Sequence, residues 1–478
     1  VIEARYGRVP LIIVTADRPS DLWETGSPQT IDQRGIYGSA PLWSHDLDIP
    51  GPGEAAPGFP AALAARMVAG AVGGPGPVHL NLRFREPLVP LEGIPASEGP
   101  VPRFDLGIAV PDEAAIERMA AALEGKRGVM IVGPQHDPRV AAPAAAAAAG
   151  LGFPILPDPQ SGLLAGDHDR SMVVASAAAL AEAGLLDHLA PEAVLRIGPP
   201  ALSKSIAEWL ATHPGIYQMH LDQDGWLDPG ASVSRAVRAD PAATLSALAA
   251  AVRRPAPAGW MDAWRAADLA AGKAIRRAIG DLPFPTEPGI AAVVGDAIPP
   301  GSLLYVASSM PIRDVSLTFT ATGRPIRIAS NRGANGIDGF LSSSLGAAAV
   351  WQGPVVALTG DLSALHDLTA LATAAAEHLP ITIVIVDNDG GGIFHFLRQA
   401  GFPDVFERHF GTPHGLDLVT AARALGVAAT LVEDAGALRS AVSRVPDAPG
   451  VVVVRTDRRA NVEVHRTILN AVAAALGR

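Results

Sequence analysis

Cysteine is absent from the 478 residues. Neither a disulfide nor a thiolate metal centre can therefore form. No uninterrupted apolar stretch reaches the length of a bilayer span, so no membrane partner is expected. No basic run stands out, and the net charge is −11 with a pI of about 5.6. That balance argues against nucleic acid as a partner. There is no signal-peptide pattern, and the chain opens with Val1 rather than Met. What is plentiful is apolar: 49% of the residues are hydrophobic, enough for several cores. The length is too great for one domain and suits two to four. The abundance of alanine, glycine and proline reflects coding bias rather than disorder.

The most informative stretch runs from Pro354 to Phe396, PVVALTGDLSALHDLTALATAAAEHLPITIVIVDNDGGGIFHF. Pro354–Thr359 is a short apolar run, Ala364–Ala376 has helical composition, and Ile381–Val386 is a second, β-branched run suited to a buried parallel strand. A strand–helix–strand unit of this kind is right-handed, so both strands end on the same edge of the sheet. Asp361 lies just past the first strand and Asn388 just past the second, 27 positions on (388 − 361). At the carboxyl edge of an open α/β sheet, where ligands bind, a carboxylate and an amide oxygen would then meet. These are hard donors, favouring Mg²⁺ or Ca²⁺ over zinc or copper, and Mg²⁺ prefers few protein ligands plus phosphate oxygens. Gly390, Gly391 and Gly392 would let the backbone approach a ligand and leave amides free. Either loop alone is a common αβ turn. The pair, flanking one strand–helix–strand unit, reads as a metal-bridged diphosphate site.

Val9–Thr15 reads as a buried strand, with Arg18 at its carboxyl end and GSPQTIDQRGIYG beyond. Arg18 suits either a strand-end ion pair or bidentate capture of a carboxylate, and the residues alone leave both open. A helix near Pro60–Gly73 and a strand Val78–Leu82 complete this part. Residues Glu92–Asp105 read as a Pro- and Gly-rich linker. In the middle region, Gly128–Gln135, Ala193–Gly198 and Ile216–Asp222 are strands at αβ spacing. No GxGxxG follows the first of them, so dinucleotide binding has no support there. Further on, Ser302–Asp314 holds a strand ending in Ser308-Ser309-Met310, with Arg313 one helical turn later. Pro325–Gly339 holds a strand and a Gly-rich loop with Arg332. Two guanidiniums at the edge that carries Asp361 would suit an anionic ligand, though each alone could be a surface charge. Nothing in the spacing of His395 and His414 supports an acid–base role.

Gly360-Asp361, about 27 residues, then Asn388 in a Gly-rich turn resembles the Mg²⁺–diphosphate motif of thiamine-diphosphate enzymes. GDLSALHDLTAL, NDGGGIFHFL, TADRP with GSPQTIDQ, HLNLRFREPL and HFGTPHGLDL are together similar to the 2-succinyl-5-enolpyruvyl-6-hydroxy-3-cyclohexene-1-carboxylate synthases. Arg83 stands where that family more often has proline, a local departure. The resemblance spans the chain and is weakest in the middle region.

It implies an α/β fold of three doubly wound parallel-sheet domains. These are a truncated pyrimidine-binding domain over 1–98, a middle Rossmann-like domain over 105–270 and a diphosphate-binding domain over 275–478. It implies thiamine diphosphate with Mg²⁺ (or Mn²⁺), the ion held by Asp361, Asn388 and the Gly390 carbonyl. Ile337, Gly360, Leu362, Ser363, Gly391, Ile393 and Phe394 would hold the cofactor, Ile337 as the apolar wedge. Arg18, Gln29, Lys204, Ser309, Arg313 and Arg332 would face the substrates, 2-oxoglutarate and isochorismate. The implied reaction decarboxylates 2-oxoglutarate and adds the succinyl-semialdehyde carbanion to isochorismate, in menaquinone biosynthesis. A cytoplasmic homodimer or dimer of dimers is implied too. The alternatives are another thiamine-diphosphate carboligase of acetolactate-synthase type and a catalytically inert cofactor-binding protein. The cofactor-activating Glu is expected upstream of Val1, because Glu3 and Asp17 are the only carboxylates before Arg18 and neither matches it. The expectation is that the 478 residues alone make no product and that a chain extended upstream does.

Overall fold

In a computed structural model of the chain, the residues described are 1–48, 56, 58–86, 88–89 and 101–478. The expected linker therefore lies outside them over 92–100. The described strands form three wholly parallel sheets. The first comprises β1 (Leu11–Asp17), β2 (Trp43–Asp48) and β3 (Pro77–Arg83), in the order β1-β3-β2. The second comprises β4 (Gly128–Val132), β5 (Ile155–Pro157), β6 (Ala193–Ile197), β7 (Tyr217–Asp222) and β8 (Arg235–Arg238), in the order β5-β4-β6-β7-β8. The third comprises β9 (Leu303–Val306), β10 (Arg327–Ala329), β11 (Val355–Gly360), β12 (Ile381–Asp387), β13 (Ala428–Leu431) and β14 (Gly450–Arg455), in the order β10-β9-β11-β12-β14-β13.

The central strands β4, β6, β11, β12 and β14 are mainly apolar runs, whereas β3 and β7 alternate apolar with polar residues. Every residue of β4, β6 and β12 is buried, as befits parallel strands covered on both faces. The helices between them start where a short polar side chain can take an orphan N–H. Asp112, Ser203, Asp240, Thr286, Asp417 and Asp434 each cap one in this way.

The chain divides into two compact units, Val1–Ile108 with Asn331–Gly336, and Ala109–Ser330 with Ile337–Arg478. The second and third sheets share the second unit through one continuous core. Leu195 and Met219 of the second sheet belong to the same buried cluster as Leu304, Val356 and Val384 of the third.

Two expectations fail. β1 is not buried: Leu11, Ile12 and Val14 are 37%, 43% and 56% exposed. It is an edge strand, and the helix Phe59–Gly73 covers one side of its sheet, leaving the alternating Ile12–Val14–Ala16 face open. The single helix over Ala364–Ala376 is two helices, Asp361–His366 and Ala370–Ala376. The break falls at Asp367, whose carboxylate accepts the N–H groups of Leu341 and Ser342 (3.2 and 2.7 Å) at the start of the helix Phe340–Val350.

Candidate functional site

In the third sheet the chain leaves β9 to one side for β10 and returns to the other side for β11. That is a topological switch point, and the crevice beyond the carboxyl ends of such strands is where α/β sheets bind ligands. β9 runs out into Ala307, Ser308 and Ser309, and the helix Met310–Thr318 starts at once. Ser309 takes a left-handed backbone (φ 74°), and the exposed Arg313 donates from Nη1 to the Ser309 carbonyl at 2.5 Å. β11 runs directly into Asp361, and β12, its parallel neighbour, into Asn388.

Asp361 is 2% exposed and ties the two loops together. Its Oδ1 accepts the Leu362 N–H at 2.6 Å. Its Oδ2 accepts the N–H groups of Asn388 (3.1 Å) and Gly390 (2.9 Å). Burial pushes the Asp361 carboxyl up from its ordinary value, while the N–H donors and His414 act the other way. His414 Nε2 lies 3.3 Å from Oδ2. The Leu416 N–H donates to His414 Nδ1 at 3.0 Å, so the hydrogen bonds assign the ring proton to Nε2, facing Asp361. Asp387 Oδ1 lies 3.8 Å from the same Nε2, and ligand atoms of Asp361, Asp387 and His414 fall within 4.8 Å of one another.

The three glycines serve a different purpose from the one expected. Their amides are not free. Gly390 N–H goes to Asp361, Gly391 N–H to the Gly411 carbonyl and Gly392 N–H to the Gly390 carbonyl. What Gly390 and Gly391 admit is the backbone of the segment at 410–411. A Cβ on Gly390, where φ is +136°, would sit 1.9 Å from the Gly411 carbonyl oxygen, and one on Gly391 2.1 Å from that of Phe410.

Around this loop lie residues that no local pattern announced. Glu287, the first residue of the helix Glu287–Ala297, is 4% exposed and accepts Asn388 Nδ2–H at 2.7 Å. Burial, then the charge of Asp314, pushes its carboxyl up to about 8. Asp314, its own carboxyl raised by burial, has His465 Nε2 at 2.8 Å. Arg458 donates to the carbonyls of Asn388 (3.1 Å) and Asp389 (2.5 Å) and to Glu407 (2.6 Å).

The other expected site residues are distributed over both units. In the second unit, Ser363 Oγ donates to the Ile337 carbonyl at 3.2 Å, next to Gly360 and Leu362 at the head of the helix after β11. Ile393 and Phe394 lie in the 3₁₀ turn Gly392–Phe396, with the Phe394 ring 5.4 Å from that of Phe410. Lys204 opens the helix Lys204–Thr212, 83% exposed and paired with Glu208 at 3.2 Å. In the first unit, the half-buried Arg18 has its N–H on Asp17 (2.7 Å) and its carbonyl accepting from Trp23 (3.2 Å). Gln29 is exposed with φ 57°. Arg332 is exposed in a loop whose Gly333, Ala334 and Asn335 N–H groups all go to the Glu3 carboxylate (2.5, 2.5 and 2.9 Å).

Residues 319–456 match the family described as thiamine pyrophosphate enzyme, C-terminal TPP binding domain. A protein of Geobacillus kaustophilus named 2-succinyl-5-enolpyruvyl-6-hydroxy-3-cyclohexene-1-carboxylate synthase is 39% identical over 493 residues, 100% of this chain and 84% of its own. The Rubrobacter xylanophilus protein of the same name is 37% identical over 484 residues, 99% of this chain and 84% of its own. The chain belongs to this synthase family. Its fold is that of thiamine-dependent enzymes at large: benzoylformate decarboxylase of Polynucleobacter necessarius superposes with a TM-score of 0.67 at 18% identity, over 96% of this chain and 84% of that one.

The residues of this synthase chain fit the ion and cofactor that the family implies. Asn388 Oδ1 is buried and has no hydrogen-bond partner, a cost of roughly 1–3 kcal/mol that a cation ligand would remove. Next to it stands the buried carboxylate of Asp361. The donors are hard oxygens, the set that Mg²⁺ and Mn²⁺ take.

Proposed function

We propose that the chain catalyses the thiamine-diphosphate-dependent decarboxylation of 2-oxoglutarate and the transfer of the succinyl-semialdehyde unit to isochorismate, giving 2-succinyl-5-enolpyruvyl-6-hydroxy-3-cyclohexene-1-carboxylate. Family membership supports the reaction. The observation that carries the site is Asp361 joined to both sides of the 388–390 loop, with Asn388 Oδ1 buried and unpartnered beside it. Asp361, Asn388 and the Gly390 carbonyl would hold Mg²⁺ or Mn²⁺ against the diphosphate. Gly360, Leu362, Ser363, Gly391, Ile393 and Phe394 would line the cofactor, and Ile337 would press against it. When bound, thiamine diphosphate supplies the carbanion chemistry that protein side chains lack.

The protein's part is charge and position. Arg18, Arg313, Arg332 and Lys204 supply guanidinium and ammonium groups for two substrates with several carboxylates, and Ser309 and Gln29 supply neutral donors. A guanidinium grips a carboxylate through two parallel N–H groups, which fixes orientation as well as charge. An acceptor without carboxylates would not call for so many cations. A homodimer or dimer of dimers in the cytoplasm belongs to the same reading. The test is CO₂ release by the protein purified from its natural gene, with isochorismate present. Release from 2-oxoglutarate and none from pyruvate is expected. Release from pyruvate alone would make the chain a carboligase of the acetolactate-synthase type.

A further inference from the structure

Glu287 and Asn388 are 101 residues apart in sequence, and Glu287 Oε1 accepts Asn388 Nδ2–H at 2.7 Å in the buried interior. The two ends of an asparagine amide differ only in chemistry: one donates and the other accepts. Which end faces a metal is therefore set by what the other end meets. Here Oε1 of Glu287 accepts from the NH₂ end. Turned over, the amide would set its oxygen against that acceptor oxygen. Gly392 leaves room for that NH₂, since a Cβ there would come within 2.7 Å of Nδ2. The Asn388 main chain is pinned separately, its N–H to Asp361 and its carbonyl to Arg458 (3.1 Å each). Only the side-chain torsion is left for Glu287 to decide. The result is a buried Oδ1 with no hydrogen-bond partner, the arrangement a ligand oxygen has before its ion arrives.

Glu287 is itself placed by structure far from the loop. Thr286 Oγ1 caps its helix by accepting the Gly289 N–H at 3.2 Å, which fixes Glu287 as the first helical residue. Thr456 Oγ1, just past β14, lies 3.4 Å from the same Oε1. Residues from the helix before β9, the loop after β12 and the loop after β14 thus meet at one carboxylate oxygen.

We propose that Glu287 is a positioning residue for the metal site: by holding the amide of Asn388 in one sense, it presents Oδ1 to the divalent cation. This rests on the reading of Asp361 and Asn388 as metal ligands. Outer partners of this kind are worth about 10–100-fold in metal affinity. The test is Mn²⁺ binding in the presence of saturating thiamine diphosphate, read from the electron paramagnetic resonance signal of free Mn²⁺, with folding checked by circular dichroism. Glu287→Met keeps the bulk and removes the acceptor, and should weaken Mn²⁺ binding by about 10–100-fold. Glu287→Gln keeps an oxygen acceptor for Nδ2–H, and should bind within a few-fold of wild type. Asp361→Ala should abolish binding. A folded Met variant with wild-type affinity, or a Gln variant as weak as the Met variant, overturns the proposal while leaving the metal site intact. Unchanged Mn²⁺ binding in Asp361→Ala, or none in wild type, overturns the metal reading and the proposal with it.

Discussion

Asp361 takes N–H groups from its own helix on one oxygen and from the neighbouring loop on the other, so its removal acts on the loop as well as on the ion. Asp361→Ala should abolish Mg²⁺-dependent thiamine diphosphate binding, exceeding the roughly 10–100-fold that loss of an outer partner costs. Calorimetric titration of the cofactor with and without Mg²⁺ reads this. Unchanged affinity would remove Asp361 from the metal site. The arginines invite a different experiment, because Arg313 and Arg332 are exposed. Arg313→Ala and Arg332→Ala should each raise KM for a carboxylated substrate by about 10–100-fold, the equivalent of 1.5–3 kcal/mol for a charged hydrogen bond. Wild-type kinetics in both would make them surface charges. Asp361 and Asn388 were legible in the sequence because each follows an apolar run at once, so strand and ligand sit side by side in the text. Glu287 and His414 were not. Their partners lie 101 and 53 residues away, and nothing in TEPG or TPHG signals a long-range contact.

At the scale of elements, hydrophobic periodicity located the strands around the site, since a parallel strand buried on both faces has few other ways to be written. It misjudged two elements for the same reason. Burial of β1 depends on what packs against it, and the break between the helices Asp361–His366 and Ala370–Ala376 depends on Asp367 capping a different helix. Neither is a property of the segment itself. The Gly-rich loop was located, but not the room that Gly390 and Gly391 make for the segment at 410–411. That makes a prediction. Gly390→Ala should destabilise the protein by more than about 1–3 kcal/mol, the cost of a strained backbone alone, because its Cβ would also meet a main-chain oxygen at 1.9 Å. Gly346→Ala, inside the helix Phe340–Val350 with nothing within 4 Å of its Cβ, should instead stabilise by about 0.5–1 kcal/mol. Urea denaturation of the two variants measures the contrast, and equal effects would mean that the loop yields to the added methyl.

At the scale of the whole molecule, the two compact units are unequally provided with core. Among the described residues, the first unit's core is Met67, Ala71, Val78 and Leu80, with Trp43, Leu47, Leu63 and Leu82 half-buried around it. The second unit holds three large clusters, one of them continuous through two sheets. Stability rises with the apolar surface removed from water, about 25 cal/mol per Å², so the first unit should unfold first. Two calorimetric transitions are expected. Met67→Ala should lower the first alone. A large-to-small core change costs about 2–5 kcal/mol, and a small core that can collapse lies at the low end. For a unit of this size each kcal/mol moves the midpoint by roughly 4–8 °C, so a fall of about 8 °C or more is expected. Val384→Ala, in the fully buried β12, should lower the second transition and leave the first in place. A single transition that both variants move would mean that the small core is held up by cooperation with the large one, and that the division into units has no thermodynamic counterpart.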